Sequence, residues 1–226
     1  MIEKINRNNT PKYMMLNSFS SNPKARNGYL SYRYHRTRDN ERNEAIRAGV
    51  GAVVGTLIPL IAFAKKQNTS ILKVNYGLKE LIGVSAGSIV GGVMGGMIKS
   101  DYLDRKQKVN EGIFQFSNAA LPPILVVALE ETTKNVKVLH NKVGKIATTA
   151  VGLVGGMFGA AKLSNFICDP KDKVPDRKLT FKDSLANIDD ALGILAMSDF
   201  PALQKVAGPL LPVIYAFCGY RAGESN

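Results

Sequence analysis

Asp169, Asp172 and Asp176 are spaced closely enough to raise the question of cation binding. A calcium loop needs carboxylate and carbonyl ligands at fixed positions around a turn glycine. Here Lys171, Lys173 and Arg177 interleave with the aspartates instead, so the stretch reads as a solvated charged loop. Asp189 and Asp190 are adjacent, and neighbours on a helix point about 100° apart, so they cannot share one acid–base site unaided. His35 and His140 have no serine, cysteine or carboxylate placed for nucleophilic catalysis or metal ligation. The glycine-rich runs have no preceding strand and no following Lys-Ser/Thr, so they are not phosphate cradles. The sequence therefore predicts no enzyme, no bound metal and no cofactor. Cys168 and Cys218 sit in apolar surroundings outside any ligand spacing and read as buried free thiols.

Two polar groupings remain. Gln115, Ser117 and Asn118 lie just before Pro122-Pro123, where the missing backbone N–H groups break the helical ladder. Polar side chains near such a break can line a solute path, with Gln115 and Asn118 as its candidates, or they can satisfy the break and bond a neighbouring helix. Between Gly28 and Arg38, three tyrosines alternate with three arginines. Tyr32, Arg33, Tyr34, Arg36 and Arg38 can stack on bases and pair with phosphates. Lying just ahead of the first apolar run, they fit anionic lipid headgroups and the membrane interface better, so nucleic acid is not the expected partner.

What holds these residues is a chain of five uncharged runs: 48–64, 81–98, 112–129, 146–161 and 206–220. Residues 1–44 carry nine Lys or Arg and many turn formers, and read as a basic, mostly disordered tail. The 226-residue chain has 30 Lys plus Arg against 18 acids, a formal charge of +12 concentrated between the runs. Such a balance favours an anionic surface as partner. The amino terminus has no apolar core of a cleavable signal peptide. A membrane-crossing helix takes roughly 20 apolar residues and at least about 17, so each run is marginal by length.

Composition separates lipid from water. The stretch Gly83 to Gly96, GVSAGSIVGGVMGG, has six glycines in fourteen residues. In a water-exposed helix each costs about 1 kcal/mol relative to alanine. In hydrocarbon the backbone must satisfy its own hydrogen bonds, which enforces the helix, and small residues then permit close helix approach. Gly83, Gly87, Gly91 and Gly95 recur every four residues along one face, a glycine zipper of overlapping GxxxG units, and Gly152 and Gly156 repeat the spacing, as do Gly51 and Gly55. No charged residue is expected deep in any run, and 99–111 is expected to be a loop.

The form LxPΦΦ, with Φ an aliphatic residue, recurs at 57–61, 121–125 and 210–214. With the glycine runs it predicts a tandem repeat, 45–99 and 112–162, each a proline helix followed by a glycine helix. The pattern at Phe181, Leu185, Ile188, Leu192 and Leu195 predicts an amphipathic helix near 181–197, and 206–220 a terminal apolar helix. With four crossings, the side holding 1–44, 99–111 and 169–190 carries 18 Lys or Arg and the other 8. The positive-inside rule then places the amino terminus in the cytoplasm, with a bacterial inner membrane the favoured setting.

These readings converge on an all-α multi-pass membrane bundle of four or five short helices spanning 45–226. Its expected role is structural or in assembly, with glycine faces joining helices within the protein, between copies as a homo-oligomer, or with another membrane protein. The alternatives are a pore or permease for a small solute and a soluble helical binding module.

Overall fold

A computed structural model of the chain describes residues 38–100, 102–134, 136, 142–171 and 201–224. Five α-helices carry nearly all of them: α1 Arg38–Lys66, α2 Leu78–Met97, α3 Tyr102–Thr133, α4 Lys142–Cys168 and α5 Pro201–Glu224. Among the described residues there is no strand. The expected basic tail, apart from the start of α1, and the expected amphipathic helix near 181–197 lie outside the described residues.

Every helix outruns the uncharged stretch that marked it. α1 and α3 reach 29 and 32 residues because charged turns continue the helix beyond the apolar run. The segment 99–111 is accordingly not a loop: α3 starts at Tyr102 and takes Asp104, Lys108 and Glu111 into the helix. Asp104 in the first turn suits the positive end of the helix dipole. Stretches of α1, α2, α3 and α4, over Arg42–Lys66, Leu78–Met97, Tyr102–Thr133 and Gly144–Cys168, are long and apolar enough to cross a membrane.

The connection from α1 to α2 is clamped by polar contacts. Gln67 donates from Nε2 to the Asn75 carbonyl at 2.8 Å and accepts from the Asn75 N–H at 2.8 Å. The Gly77 N–H donates to Glu80 Oε2 at 3.1 Å, satisfying a donor at the start of α2. Asn68, at φ 52°, makes the left-handed turn that ends α1.

Facing residues give the helix directions. Along α1 and α2, Arg47 meets Gly95, Gly51 meets Gly91, Gly55 meets Gly87 and Phe63 meets Gly83, an antiparallel register. Along α3 and α4, Val126 meets Gly152 and Pro122 meets Gly156, also antiparallel. α5 runs parallel to α2, since Ser88 meets Gly219 and Gly92 meets Gly223, and antiparallel to α1, where Gly49 meets Tyr220. α1, α2 and α5 form one three-helix cluster; α3 packs on α2 and α5, and α4 packs chiefly on α3. One end of the bundle holds the start of α1, the α2–α3 junction, the end of α4 and the end of α5. The other holds the α1–α2 connection, the end of α3, the start of α4 and the start of α5.

The apolar core lies between α1, α2, α5 and the 67–77 connection, where Leu60, Tyr76, Leu81, Val84, Leu211 and Tyr215 pack together. Outside it the helices present large apolar side chains. Ile46, Val50, Val54 and Ile58 on α1, and Ile146, Val151, Phe158 and Phe166 on α4, are each about half exposed or more. Soluble monomers rarely expose contiguous apolar patches above a few hundred Å².

Candidate functional site

α3 carries polar residues at positions 104, 108, 111, 115 and 118, followed by Pro122, a spacing that keeps them on one helix face. That face points inward. Asp104, Lys108, Gln115, Asn118 and Pro122 are buried, with Lys108 at 0% exposure. The Lys108 ammonium pairs with the Glu44 carboxylate of α1, itself buried. One turn further along, Gln115 Nε2 donates to Glu111 Oε1 at 2.8 Å. The row thus passes from charged groups near the end of the bundle to neutral amides in its middle, and stops at Pro122-Pro123. There the two prolines lack the N–H groups that would bond carbonyls four residues back. α4 passes directly over them, so that a Cβ on Gly156 would lie 2.3 Å from Pro122 Cα.

Glu44, Asp104 and Lys108 lie outside the uncharged runs, yet the helices extend past those runs and bury all three. The spacing 104, 108, 111, 115, 118 was the legible signal, since it continues the Gln115 and Asn118 face outward by whole turns. Ser117 is also buried on α3.

The glycines predicted to pack are placed as follows. A Cβ on Gly87 would lie 2.4 Å from the Gly55 carbonyl oxygen and 2.8 Å from the Pro59 ring. On Gly91 it would lie 2.2 Å from the Gly51 carbonyl oxygen, and on Gly95 2.2 Å from that of Arg47. Gly83 faces the Phe63 ring, Gly152 faces Val126 and Gly156 faces Pro122. A second strip on α2 was not predicted: Gly92 and Gly96 lie against Gly219 and Gly223 of α5. On the same side Ser88 Oγ donates to the Tyr215 carbonyl at 2.5 Å. Tyr32, Arg33, Tyr34 and Arg36, His35 and His140 lie outside the described residues, and Arg38 begins α1.

Among the described residues no group of three or more His, Cys, Asp or Glu side chains is arranged to hold a metal ion. Cys168 and Cys218 are free thiols; Cys218 is buried, and Cys168 Sγ donates to the Asn110 carbonyl at 3.8 Å. The groove between α2 and α3, lined by Ile89, Val93, Met97, Val109 and Phe116, is apolar and separate from the polar row. No protein-family model, curated protein or solved structure matches this chain.

Proposed function

We propose that this chain is a multi-pass membrane protein that passes a small polar or charged solute along the inner face of α3, from the Glu44–Lys108 pair past Gln115 and Asn118 to the Pro122-Pro123 break. The observation that carries this reading is the burial of Asp104, Lys108, Gln115 and Asn118 along one face of a helix otherwise apolar enough for lipid. Ion pairs are no better than well-packed apolar residues at holding a core together, because desolvation offsets their attraction. Ionisable groups inside membrane bundles mark ion and solute routes. Helix association has a separate source here, in the backbone approaches at Gly51, Gly55, Gly87 and Gly91. These form the glycine zipper of the reading, and they join helices of one chain. A role in joining copies draws no support from them, since their faces are already occupied.

The exposed apolar residues of α1 and α4 support lipid rather than water around the bundle, against a soluble binding module. Residues 1–44 and 99–111 carry 13 Lys or Arg, nine and four, against 8 in 65–80 and 130–145, and the positive-inside rule makes their side cytoplasmic.

Purified protein in liposomes tests the reading. Vesicle swelling with a panel of small polyols, amides and amino acids, alongside currents on a supported membrane for inorganic ions, is expected to reveal one permeant class. Gln115→Leu with Asn118→Leu is expected to abolish that flux while the protein stays folded. Flux unchanged in the double variant, or no flux above protein-free vesicles for every solute, would remove the transport reading.

A further inference from the structure

The apolar groove between α2 and α3 has a volume of about 360 Å³, within the range of roughly 300–1,000 Å³ that ligand sites occupy. Its floor is the place where the two helices touch: a Cβ on Gly112 would lie 2.9 Å from Val93 Cγ2 and 3.5 Å from Ile89 Cγ2. Its rims, Val90 and Met94 on α2 and Val109 and Phe116 on α3, are exposed. A gap left empty there forfeits the dispersion contacts of its lining, so an apolar occupant is favoured.

Length and charge choose the occupant. Along α2 the lining runs from Ala86 to Met97, about 16 Å at 1.5 Å per residue. That is half of a hydrocarbon core roughly 30 Å thick. A crossing helix of another protein, or of a second copy, would call for a seat along the whole core. A groove confined to one half of it suits an acyl chain entering from one leaflet.

The end of the groove nearest the α2–α3 junction is basic. Lys106 precedes Val109 by three positions and Ile113 by seven, so it stands on the groove face of α3, one turn beyond the lining. Tyr102 continues that face by a further turn, and both residues are exposed. Lys99, also exposed, follows Met97 at the end of α2. Its φ of 61° is backbone that favours glycine, so the turn itself gives no reason for a lysine there. Arg105 Nε donates to the Ser100 carbonyl at 2.9 Å, which keeps this cation at the junction. Of the three acids in 99–111, Asp104 is buried on the inward face and Glu111 accepts from Gln115 along it; Asp101 is the third.

On the membrane reading above, we propose that this groove binds an anionic phospholipid of the leaflet at the α2–α3 junction. One acyl chain lies between α2 and α3 down to Phe116, and Lys99 and Lys106 hold the headgroup phosphate. Basic residues at a membrane surface attract anionic headgroups, and tyrosine settles at the same level, as Tyr102 would. The groove adds what charge alone does not, a fixed place for one lipid.

The chain has no tryptophan, so an introduced one reports its own surroundings. Phe116→Trp and, on the opposite rim, Val90→Trp report on the groove, and Phe158→Trp on the exposed face of α4. Each is placed in phosphatidylcholine liposomes containing phosphatidylglycerol, with brominated chains on one lipid or the other as quencher. Brominated phosphatidylglycerol is expected to quench the groove reporters saturably, at a mole fraction on the order of tenfold lower than brominated phosphatidylcholine requires. Lys99→Gln with Lys106→Gln is expected to erase that preference, and the α4 reporter to show none. A preference that survives the double substitution overturns the headgroup contact. Equal quenching of the groove reporters by both lipids overturns the site and leaves the membrane reading standing. So does shielding of the groove reporters from both lipids while the α4 reporter is quenched, which would put protein, from this chain or a second copy, in the groove. Quenching of no reporter by lipid, with all of them open to aqueous iodide, removes the membrane reading and the site with it.

Discussion

Lys108 on α3 and Glu44 on α1 form an ion pair that the surrounding helices close off from solvent, with side-chain exposures of 0% and 5%. Removing one partner leaves an uncompensated buried charge, which typically costs about 3–5 kcal/mol, whereas replacing both by apolar residues of similar volume is often neutral. Lys108→Met is therefore expected to lower thermal stability in detergent sharply, and Lys108→Met with Glu44→Leu to recover most of the loss. Equal destabilisation in the single and double variants would show that the pair is not the unit.

The α1–α2 contact sets a second expectation. Even one methyl at Gly91 meets the Gly51 carbonyl oxygen at 2.2 Å, so Gly87→Leu with Gly91→Leu must push the helices apart. Overpacking of this kind costs about 1–3 kcal/mol per site, more than the few tenths to about 1 kcal/mol gained in helix propensity. Val90→Leu is a suitable control because Val90 is 56% exposed; Val93, of similar apparent standing in the sequence, is buried and is not. A glycine double variant melting at or above the wild-type temperature would contradict the packing argument.

Tyr76 provides a pH test outside the crossing helices. Burial in the 67–77 connection pushes its hydroxyl up from 10.0 to about 12. The folded state thus holds the proton more tightly than the unfolded state. Its contribution is complete below pH 10 and is lost as pH rises from 10 towards 12, up to about 3 kcal/mol. Tyr76→Phe should flatten this part of the stability profile and, because the buried hydroxyl has no hydrogen-bond partner among the described residues, should cost little at neutral pH. A steep loss above pH 10 that persists in Tyr76→Phe would assign the dependence to another group.

Lys99, between α2 and α3, has φ 61°, a left-handed conformation that costs a side-chain-bearing residue roughly 1–2 kcal/mol. Lys99→Gly relieves it, offset by about 0.4–1 kcal/mol of added freedom in the unfolded chain. A small net gain, up to about 1 kcal/mol, is expected in denaturant titration, whereas Lys99→Ala should give none.

The uncharged runs mark where the helices of this protein lie but not where they end, since charged turns extend α1 and α3 well past them. The face bearing Gly83, Gly87, Gly91 and Gly95 follows from four-residue periodicity alone, as does the shared face of Gln115 and Asn118. Periodicity defines a face but not what lies across it. Only the tertiary structure assigns Gly87 and Gly91 to Gly55 and Gly51 of α1, and Gly92 and Gly96 to Gly219 and Gly223 of α5, some 130 residues away in sequence. The same holds for charge. Lys108 reads as a flank residue in the sequence because its burial depends on Glu44, 64 positions earlier, arriving beside it when α1 packs. A charge becomes tolerable inside a bundle only through such a partner, and partners distant in sequence meet only when helices pack.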